Sequence, residues 1–390
     1  MGLLRTALGQ ESSDAGQMSR ISVRSSTDIC PRRILDEDAF VSMLYIERRR
    51  SERGQKRFVL AILEVREAIA GKHKNRTLAK ITGALAKVTR ETDIIGCFVE
   101  DGVIGLIGTE IGQATPKQVE ERLSEKFQAA FLDALGKEQA SQLFVSFHFF
   151  PEEWKDEDVN HSANNALYPD LSRREESRKF ALGMKRAMDI VGSATALAVL
   201  SPLCGMIALG IKLTSKGPVL FRQKRLGQYG KKFTVLKFRS MRTDCDSRIH
   251  QEYVSQFIAG QVSGDGPVGE KPVFKIQKDP RITPVGRILR KMSLDELPQF
   301  WNVLVGDMSL VGPRPPLEYE FKAYDIWHRR RVLEIKPGIT GLWQVEGRSR
   351  THFDDMVRLD LKYARGWTLW LDLKILLQTP GAVVSGEGAH

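Results

Sequence analysis

The run Ile190-Val191-Gly192-Ser193-Ala194-Thr195-Ala196-Leu197-Ala198-Val199-Leu200-Ser201-Pro202-Leu203-Cys204-Gly205-Met206-Ile207-Ala208-Leu209-Gly210-Ile211 decides how the chain is built, because its 22 residues carry no charged side chain. About 20 apolar residues suffice to cross the hydrocarbon of a bilayer as a helix. Two details change that simple reading. Pro202 stands at the centre, where it removes one helix hydrogen bond and crowds the preceding turn. The Ser201 hydroxyl can return a bond to the backbone and soften the break. Both ends are also basic, with Lys185 and Arg186 before the run and Lys212 and Lys216 after it. Positive residues prefer the cytoplasmic side, so such a segment is satisfied by entering the membrane, bending at Pro202 and leaving on the same face. The expectation is a re-entrant helix-break-helix over 186–212, with Lys185 and Arg186 at anionic headgroups. Asp189 is expected to pair with Arg186 one turn away. A buried core helix is the competing reading.

Charge outside the run is unevenly spread. The 390 residues carry 59 Lys+Arg against 48 Asp+Glu. From Lys179 onward the count is 33 against 20, a net of +13, while the first 178 residues carry −2. A polyanionic partner is therefore expected in the C-terminal half: nucleic acid, anionic lipid or a phosphorylated substrate. Four well-separated cysteines, none in a C-x-x-C pair, argue against a disulfide-built secreted protein or a structural zinc module. A mean hydropathy of −0.26 excludes a polytopic membrane protein but not one membrane segment.

The chemistry lies downstream of the run. Gly217 to Phe221 reads as a turn into a strand, Arg222-Gln223-Lys224-Arg225 as its basic continuation, and Gly227 to Gly230 as a second turn. Phe233 to Arg242 then places cations at roughly every second position, and strand alternation puts Lys237 and Arg239 on one face. Two cations converging on one spot suit a diphosphate; a solvated strand edge guarded by charge is the alternative. Farther on, Ser293 reads as a helix N-cap, with Glu296 closing a capping box. Yet Asp295 and Glu296 follow Arg287, Arg290 and Lys291 directly, so two carboxylates sit inside a cationic patch. Carboxylates beside phosphate need a cation between them, usually Mg²⁺. That makes Asp295 and Glu296 candidate metal ligands as well as catalytic groups. Arg314 stands between Pro313 and Pro315, a low-entropy way of aiming a guanidinium.

Taken in order, these segments carry a resemblance. They are Lys185-Arg186-x-x-Asp189, Ser201-Pro202, Lys237-Phe238-Arg239-Ser240-Met241, Asp279-Pro280-Arg281-Ile282-Thr283, Ser293-Leu294-Asp295-Glu296-Leu297-Pro298-Gln299, Gly306 to Pro315, and Lys336-Pro337-Gly338-Ile339-Thr340-Gly341-Leu342-Trp343-Gln344. From about Lys185 to Thr379 the chain resembles the bacterial sugar transferase family, the monotopic phosphoglycosyl transferases. The resemblance implies transfer of a sugar-1-phosphate, of hexose type, from a UDP-sugar donor to a polyprenyl phosphate acceptor (undecaprenyl phosphate). Asp295 would be the nucleophile, forming a covalent phosphosugar intermediate and releasing UMP, with Glu296 its partner in metal handling or proton transfer. Lys237, Arg239, Arg290 and the Pro313-Arg314-Pro315 segment would bind substrate, and Mg²⁺ would be the cofactor. It further implies the cytoplasmic face of a bacterial inner membrane, a role in starting exopolysaccharide or O-antigen assembly, and downstream glycosyltransferases or a second copy of the chain as partners. Nucleic acid is not expected, since no nucleic-acid motif accompanies the cations. Leu369 to Leu377 reads as an interfacial amphipathic helix with Trp367 and Trp370 at the headgroups. The alternative is an inactive regulatory relative gated by a nucleotide-sensing N-terminal domain.

Residues 38–150 read as a separate α/β domain. The order is a buried strand at Phe58–Val65, a helix through Leu78 to Val88, a hairpin about Glu100-Asp101-Gly102, a polar helix at 116–135 and an apolar strand at 143–150. That order, with Arg90-x-x-Asp93, resembles a diguanylate cyclase (GGDEF) domain, although Val99-Glu100-Asp101-Gly102-Val103 lacks the family's glycine pair. The resemblance thus implies a degenerate, non-catalytic relative; an unrelated ferredoxin-like module is the alternative. The fold expected overall is an α/β ferredoxin- or cyclase-like N-terminal domain, then a mostly α-helical catalytic domain with a small β element and the re-entrant membrane segment. Residues 1–37 are expected to form a mobile tail and 151–180 a linker. The transferase domain is placed at 181–390.

Overall fold

The computed structural model describes residues 34–65, 74–99, 102–152, 164–242, 248–260, 281–347 and 352–384. The expected mobile tail, the hairpin tip Glu100-Asp101, most of the charged 151–163 stretch, the Gly-rich 261–271 and the Asp279-Pro280 pair lie outside the described residues, wholly or nearly so.

The N-terminal half follows the order read from the sequence. Helix α1 (Glu37–Gly54) precedes β1 (Phe58–Glu64), α2 (Lys74–Val88), the hairpin β2 (Ile94–Val99) and β3 (Val103–Gly108), α3 (Pro116–Leu135), a short α4 (Lys137–Ala140) and β4 (Phe144–Phe150). The strands lie in the order β2-β3-β1-β4, each neighbouring pair antiparallel, which is the split βαβ arrangement of a ferredoxin-like sheet. Alternation along β1 sends Ala61 and Leu63 toward α2 and α3, where they meet Ile81, Leu85, Phe127 and Phe131. Phe58, Leu60 and Ile62 face the other way, onto Phe40 and Leu44 of α1. Gly105 marks where α1 presses on the sheet: a Cβ there would lie 2.3 Å from the Phe40 ring. Asp36 caps α1 by accepting from the Ala39 N–H at 2.8 Å.

Helix α5 (Pro169–Ser177) joins the halves. Asp170 pairs with Arg48 of α1, and Arg173 pairs with Glu37 and Asp38. Arg174 reaches the other way, donating to the carbonyl of Ala364 at 3.0 Å.

Helix α6 (Lys179–Thr214) runs 36 residues and continues through Pro202. The proline leaves the Ala198 carbonyl without its usual N–H, and the Ser201 hydroxyl donates to that carbonyl at 2.8 Å. This side-chain substitute lets the helix proceed across the proline. Among the described residues α6 is the one helix long and apolar enough to cross a membrane, and little of its apolar window is buried. Lys185, Asp189 and Ser193 before that window are buried, as are Ile207 and Ile211 toward its end.

The remaining elements are the ribbon β5 (Leu220–Leu226) and β6 (Lys232–Phe238), α7 (Arg248–Ile258), α8 (Pro284–Lys291), a 3₁₀ turn at Leu294–Glu296, α9 (Gln299–Val305), β7 (Ser309–Val311), α10 (Glu318–Lys322), α11 (Ile326–Leu333), β8 (Gly338–Thr340) parallel to β7, α12 (Phe353–Gly366) and α13 (Leu369–Val384). The half is mostly helical with a small β element, as expected.

Two expectations about the membrane segment are corrected here. Lys185 is not a headgroup anchor: its Nζ is buried, 2.7 Å from Asp372 Oδ2 and 3.1 Å from the Val311 carbonyl. Arg186 and Asp189 do not pair. Arg186 donates to the carbonyls of Val303 and Leu304 at the end of α9, and Asp189 accepts from Ser309 Oγ at 3.0 Å and Leu310 N at 2.9 Å. The first turns of α6 are docked on β7, α9 and α13, and buried polar groups there take protein partners. Trp367 is likewise buried, its Nε1–H donating to Asp372, whereas Trp370 is 73% exposed.

Candidate active site

The carboxylate pair sits on the 3₁₀ turn Leu294–Glu296 between α8 and α9. Ser293 enters that turn at φ +53°, a left-handed conformation that a residue with a Cβ adopts at a cost, and its side chain makes no capping bond. The expected capping box is therefore not formed, and the structural explanation for Glu296 goes with it. Instead Glu296 Oε1 accepts from Lys237 Nζ of β6 at 2.9 Å, with both side chains partly exposed.

Asn302 of α9 sets this register. Its Oδ1 accepts from Leu236 N at 3.0 Å and its Nδ2 donates to the Thr234 carbonyl at 2.7 Å, so α9 pairs with the edge of β6 much as another strand would. On the other side of the turn, α8 is locked to the end of the ribbon. Thr283 caps α8 by accepting from Gly286 N at 2.9 Å, and the Thr283 N–H donates to the Ser240 carbonyl at 3.0 Å. A Cβ on Gly286 would lie 2.0 Å from that same carbonyl oxygen. Gly286→Ala is thus expected to force α8 off the ribbon at a cost of about 3 kcal/mol, read as a lowered melting temperature. An unchanged melt would contradict this packing. Arg290, in the last turn of α8, has a buried Nη1 with no hydrogen-bond partner.

Arg314 leaves β7 on the Pro313-Arg314-Pro315 segment. Its Nη1 and Nη2 lie 3.4 and 3.5 Å from Oε1 of Glu320, whose Oε2 accepts from Leu317 N at 2.9 Å. Pro313 and Pro315 are buried and act through their carbonyls, on Gly338 N and on the Arg225 guanidinium respectively. They frame Arg314 rather than offering contact surface, which corrects their expected place among the substrate ligands. Arg225 is 6% exposed. Burial, then the Arg314 charge, push its pKa down to about 10, while Glu320 and Glu296 oppose the shift. Tyr319 is pushed up to about 12 by burial first and then by Glu320, against Arg314, Arg225 and Arg281. Glu296, Arg225, Arg314, Glu320 and Tyr319 therefore share one electrostatic neighbourhood.

Arg239 does not join it. The strand ends at Phe238, and the Arg239 guanidinium turns to the end of α6, donating to the Lys216 carbonyl at 2.9 Å and the Ser215 carbonyl at 2.8 Å. The two cations expected on one face diverge. Arg225, Asn302 and Glu320 were not singled out from the sequence. The available signal was a lone polar residue in the otherwise apolar Phe300-Trp301-Asn302-Val303-Leu304-Val305 run.

Mg²⁺ binds proteins through one or two carboxylates and completes its shell with phosphate and water. Among the described residues no three His, Cys, Asp or Glu side chains gather to form a protein cage. The adjacent Asp295 and Glu296 fit the two-carboxylate pattern.

The profile of the bacterial sugar transferases matches residues 180–386. The chain belongs to the bacterial sugar transferase family. The match covers just over half of it and includes all of the site residues above. Two curated relatives of this sugar transferase are the galactosyl transferase CpsE of Streptococcus agalactiae, 44% identical over 53% of this chain, and the undecaprenyl-phosphate galactose phosphotransferase of Salmonella typhimurium, 43% identical over 53% of this chain. Those matches cover 43% and 42% of the relatives, so the chain spans less than half the length of either. Among solved structures, a DGC protein from Thermotoga maritima is similar at 17% identity and a TM-score of 0.27, covering 32% of this chain and 86% of that one.

Proposed function

We propose that the protein transfers a hexose-1-phosphate from a UDP-sugar to undecaprenyl phosphate through a covalent aspartyl-phosphosugar, releasing UMP and starting exopolysaccharide or O-antigen assembly. The observation that carries this reading is the Lys237–Glu296 ion pair beside Asp295, on a turn that lacks its expected cap. The family resemblance makes Asp295 the nucleophile and Glu296, which accepts from Lys237 at 2.9 Å, its partner. An aspartyl-phosphate divides one transfer into two easier steps. Lys237, Arg290 and Arg314 meet the diphosphate and offset charge on the departing UMP. Asp295 and Glu296 would hold Mg²⁺, which when bound neutralises phosphate charge at the same place.

The site also suits a lipid acceptor. Ile288 and Met292, before the carboxylates in the chain, and Trp301 and Val305, after them, are exposed. Trp370, Leu373 and Leu377 of α13 and Val191, Val199 and Leu209 of α6 add further exposed apolar surface. This supports seating at the cytoplasmic face of the inner membrane, with the carboxylates at the lipid boundary.

The test is UMP release by detergent-extracted protein with undecaprenyl phosphate and a panel of UDP-hexoses. Release with at least one donor, dependent on the lipid, is expected. No release with any donor, from protein that melts cooperatively, would favour the inactive regulatory reading instead.

A further inference from the structure

Helix α11 lies between the two halves and touches both. On one side Ile326 and Leu333 pack into the core built from Phe58, Leu60, Phe150 and Tyr168 of the N-terminal half. Arg330 Nε stands 3.7 Å from Glu52 Oε1 of α1, and Arg329 Nη1 donates to the Glu152 carbonyl at 3.4 Å. On the other side Arg331 Nη2 lies 2.6 Å from Asp360 Oδ2 of α12 and donates to the Arg314 carbonyl at 3.4 Å. Arg331 and Asp360 are both buried.

A sheet of this kind has two faces, and an apolar face must be buried against something. Here α2 and α3 take one face, while the other is shared by α1 and by α11 of the transferase half. The N-terminal half is thus packed on the transferase half through its own core rather than tethered to it. The element it grips is the one that reaches the backbone of Arg314.

We propose that the N-terminal α/β half is a positioning element for the active site: its sheet face fixes α11, and Arg331 of α11 holds the Pro313-Arg314-Pro315 segment at the angle turnover requires. The role given to Arg314 rests on the proposed function. Arg331 is a positioning residue, since its contacts are to Asp360, Tyr324 and the Arg314 backbone. Its Nη2 faces both the Asp360 carboxylate and the Arg314 carbonyl, and a lysine ammonium on a flexible stem would not be held at the same place as the planar guanidinium. The module needs no nucleotide of its own to act in this way.

Three substitutions in the full-length protein test this. Leu333→Ala opens a void between the module core and α11. Arg331→Ala removes the link to the Arg314 carbonyl. Arg331→Lys keeps a charge against Asp360, and so separates loss of the held carbonyl from loss of the fold. Each is expected to lower kcat/KM for the UDP-sugar about tenfold, and to add little further loss in an Arg314→Ala background. Losses that multiply in that background would overturn the proposal, because the module would then be supporting something other than Arg314. Hydrogen exchange supplies a readout that needs no turnover. The Leu317 amide, bonded to Glu320 Oε2 at 2.9 Å beside the Arg314 guanidinium, is expected to exchange about tenfold faster in all three variants, while the Gly312 amide, bonded to the Thr340 carbonyl at 2.8 Å, keeps its protection. Unchanged exchange at Leu317 would overturn the proposal even if no sugar donor is ever found. Absent transfer by the wild type would count against the proposed function alone.

Discussion

Asp295→Asn is expected to abolish phosphosugar transfer while the protein still folds and sediments with membranes. Asparagine keeps the size and planarity of the side chain but offers an amide where a carboxylate oxygen must attack phosphorus. Loss of a covalent nucleophile lowers turnover on the order of 10⁴-fold or more. Asp295 is only half-buried, on a turn whose backbone bonds run from Glu296 N to Ser293 O and from Leu297 N to Leu294 O, so those bonds do not depend on the exchanged oxygen. Glu296→Gln makes a different prediction. It weakens the bond from Lys237 without removing the nucleophile, so a smaller loss is expected, with trapped phosphosugar still detectable on the protein by intact mass. Full turnover by the Asp295→Asn variant, or a trapped adduct on it, would remove Asp295 from the role.

Local pattern and long-range partnership were unequally legible in the sequence. Apolar runs and turn residues located β1, the β2–β3 hairpin and β4, because those signals are confined to a few neighbouring residues. Asp295 and Glu296 were legible by residue type as two carboxylates in a cationic patch and Lys237 as a strand cation, while their meeting was not: the structure brings Lys237 to Glu296 across 59 positions. The cations that went astray did so for one physical reason: a charged side chain in sequence looks the same whether it faces solvent, lipid or a buried partner. Arg239 lies one position beyond the end of β6, so alternation no longer governs it, and it closes the end of α6 instead. Ser293 looked like a cap because of its spacing to Glu296, yet its backbone is left-handed and its hydroxyl makes no capping bond. The Ser201-Pro202 break was legible as chemistry, since the hydroxyl does return a bond to the backbone. The same bond lets α6 continue through the proline.

The buried group around Asp372 predicts the largest stability effect. Asp372 is 0% exposed and accepts from Lys185 Nζ at 2.7 Å, Tyr363 OH at 2.6 Å and Trp367 Nε1 at 3.0 Å. Burial, reinforced by the Asp372 charge, raises the Tyr363 pKa well above its ordinary value, which keeps the phenol a neutral donor. Lys185 and Tyr363 both donate to the Val311 carbonyl, at the end of the strand that leads into Pro313-Arg314-Pro315. Asp372→Ala leaves the Lys185 ammonium buried without its counter-charge and is expected to cost about 3–5 kcal/mol. In a chain of 390 residues the melting temperature should then fall by roughly 4–6 °C. Lys185→Met alone should also be costly, because it leaves the carboxylate in place among neutral donors. Lys185→Met combined with Asp372→Asn should cost less than Asp372→Ala, since no buried charge is left unpaired and the asparagine carbonyl still accepts from Tyr363 or Trp367. Thermal melts of the three variants measure that coupling directly. A lysine bound only to headgroups would tolerate methionine with little change in the melt, whereas a lysine that closes a buried ion pair behind the strand leading to Arg314 would not.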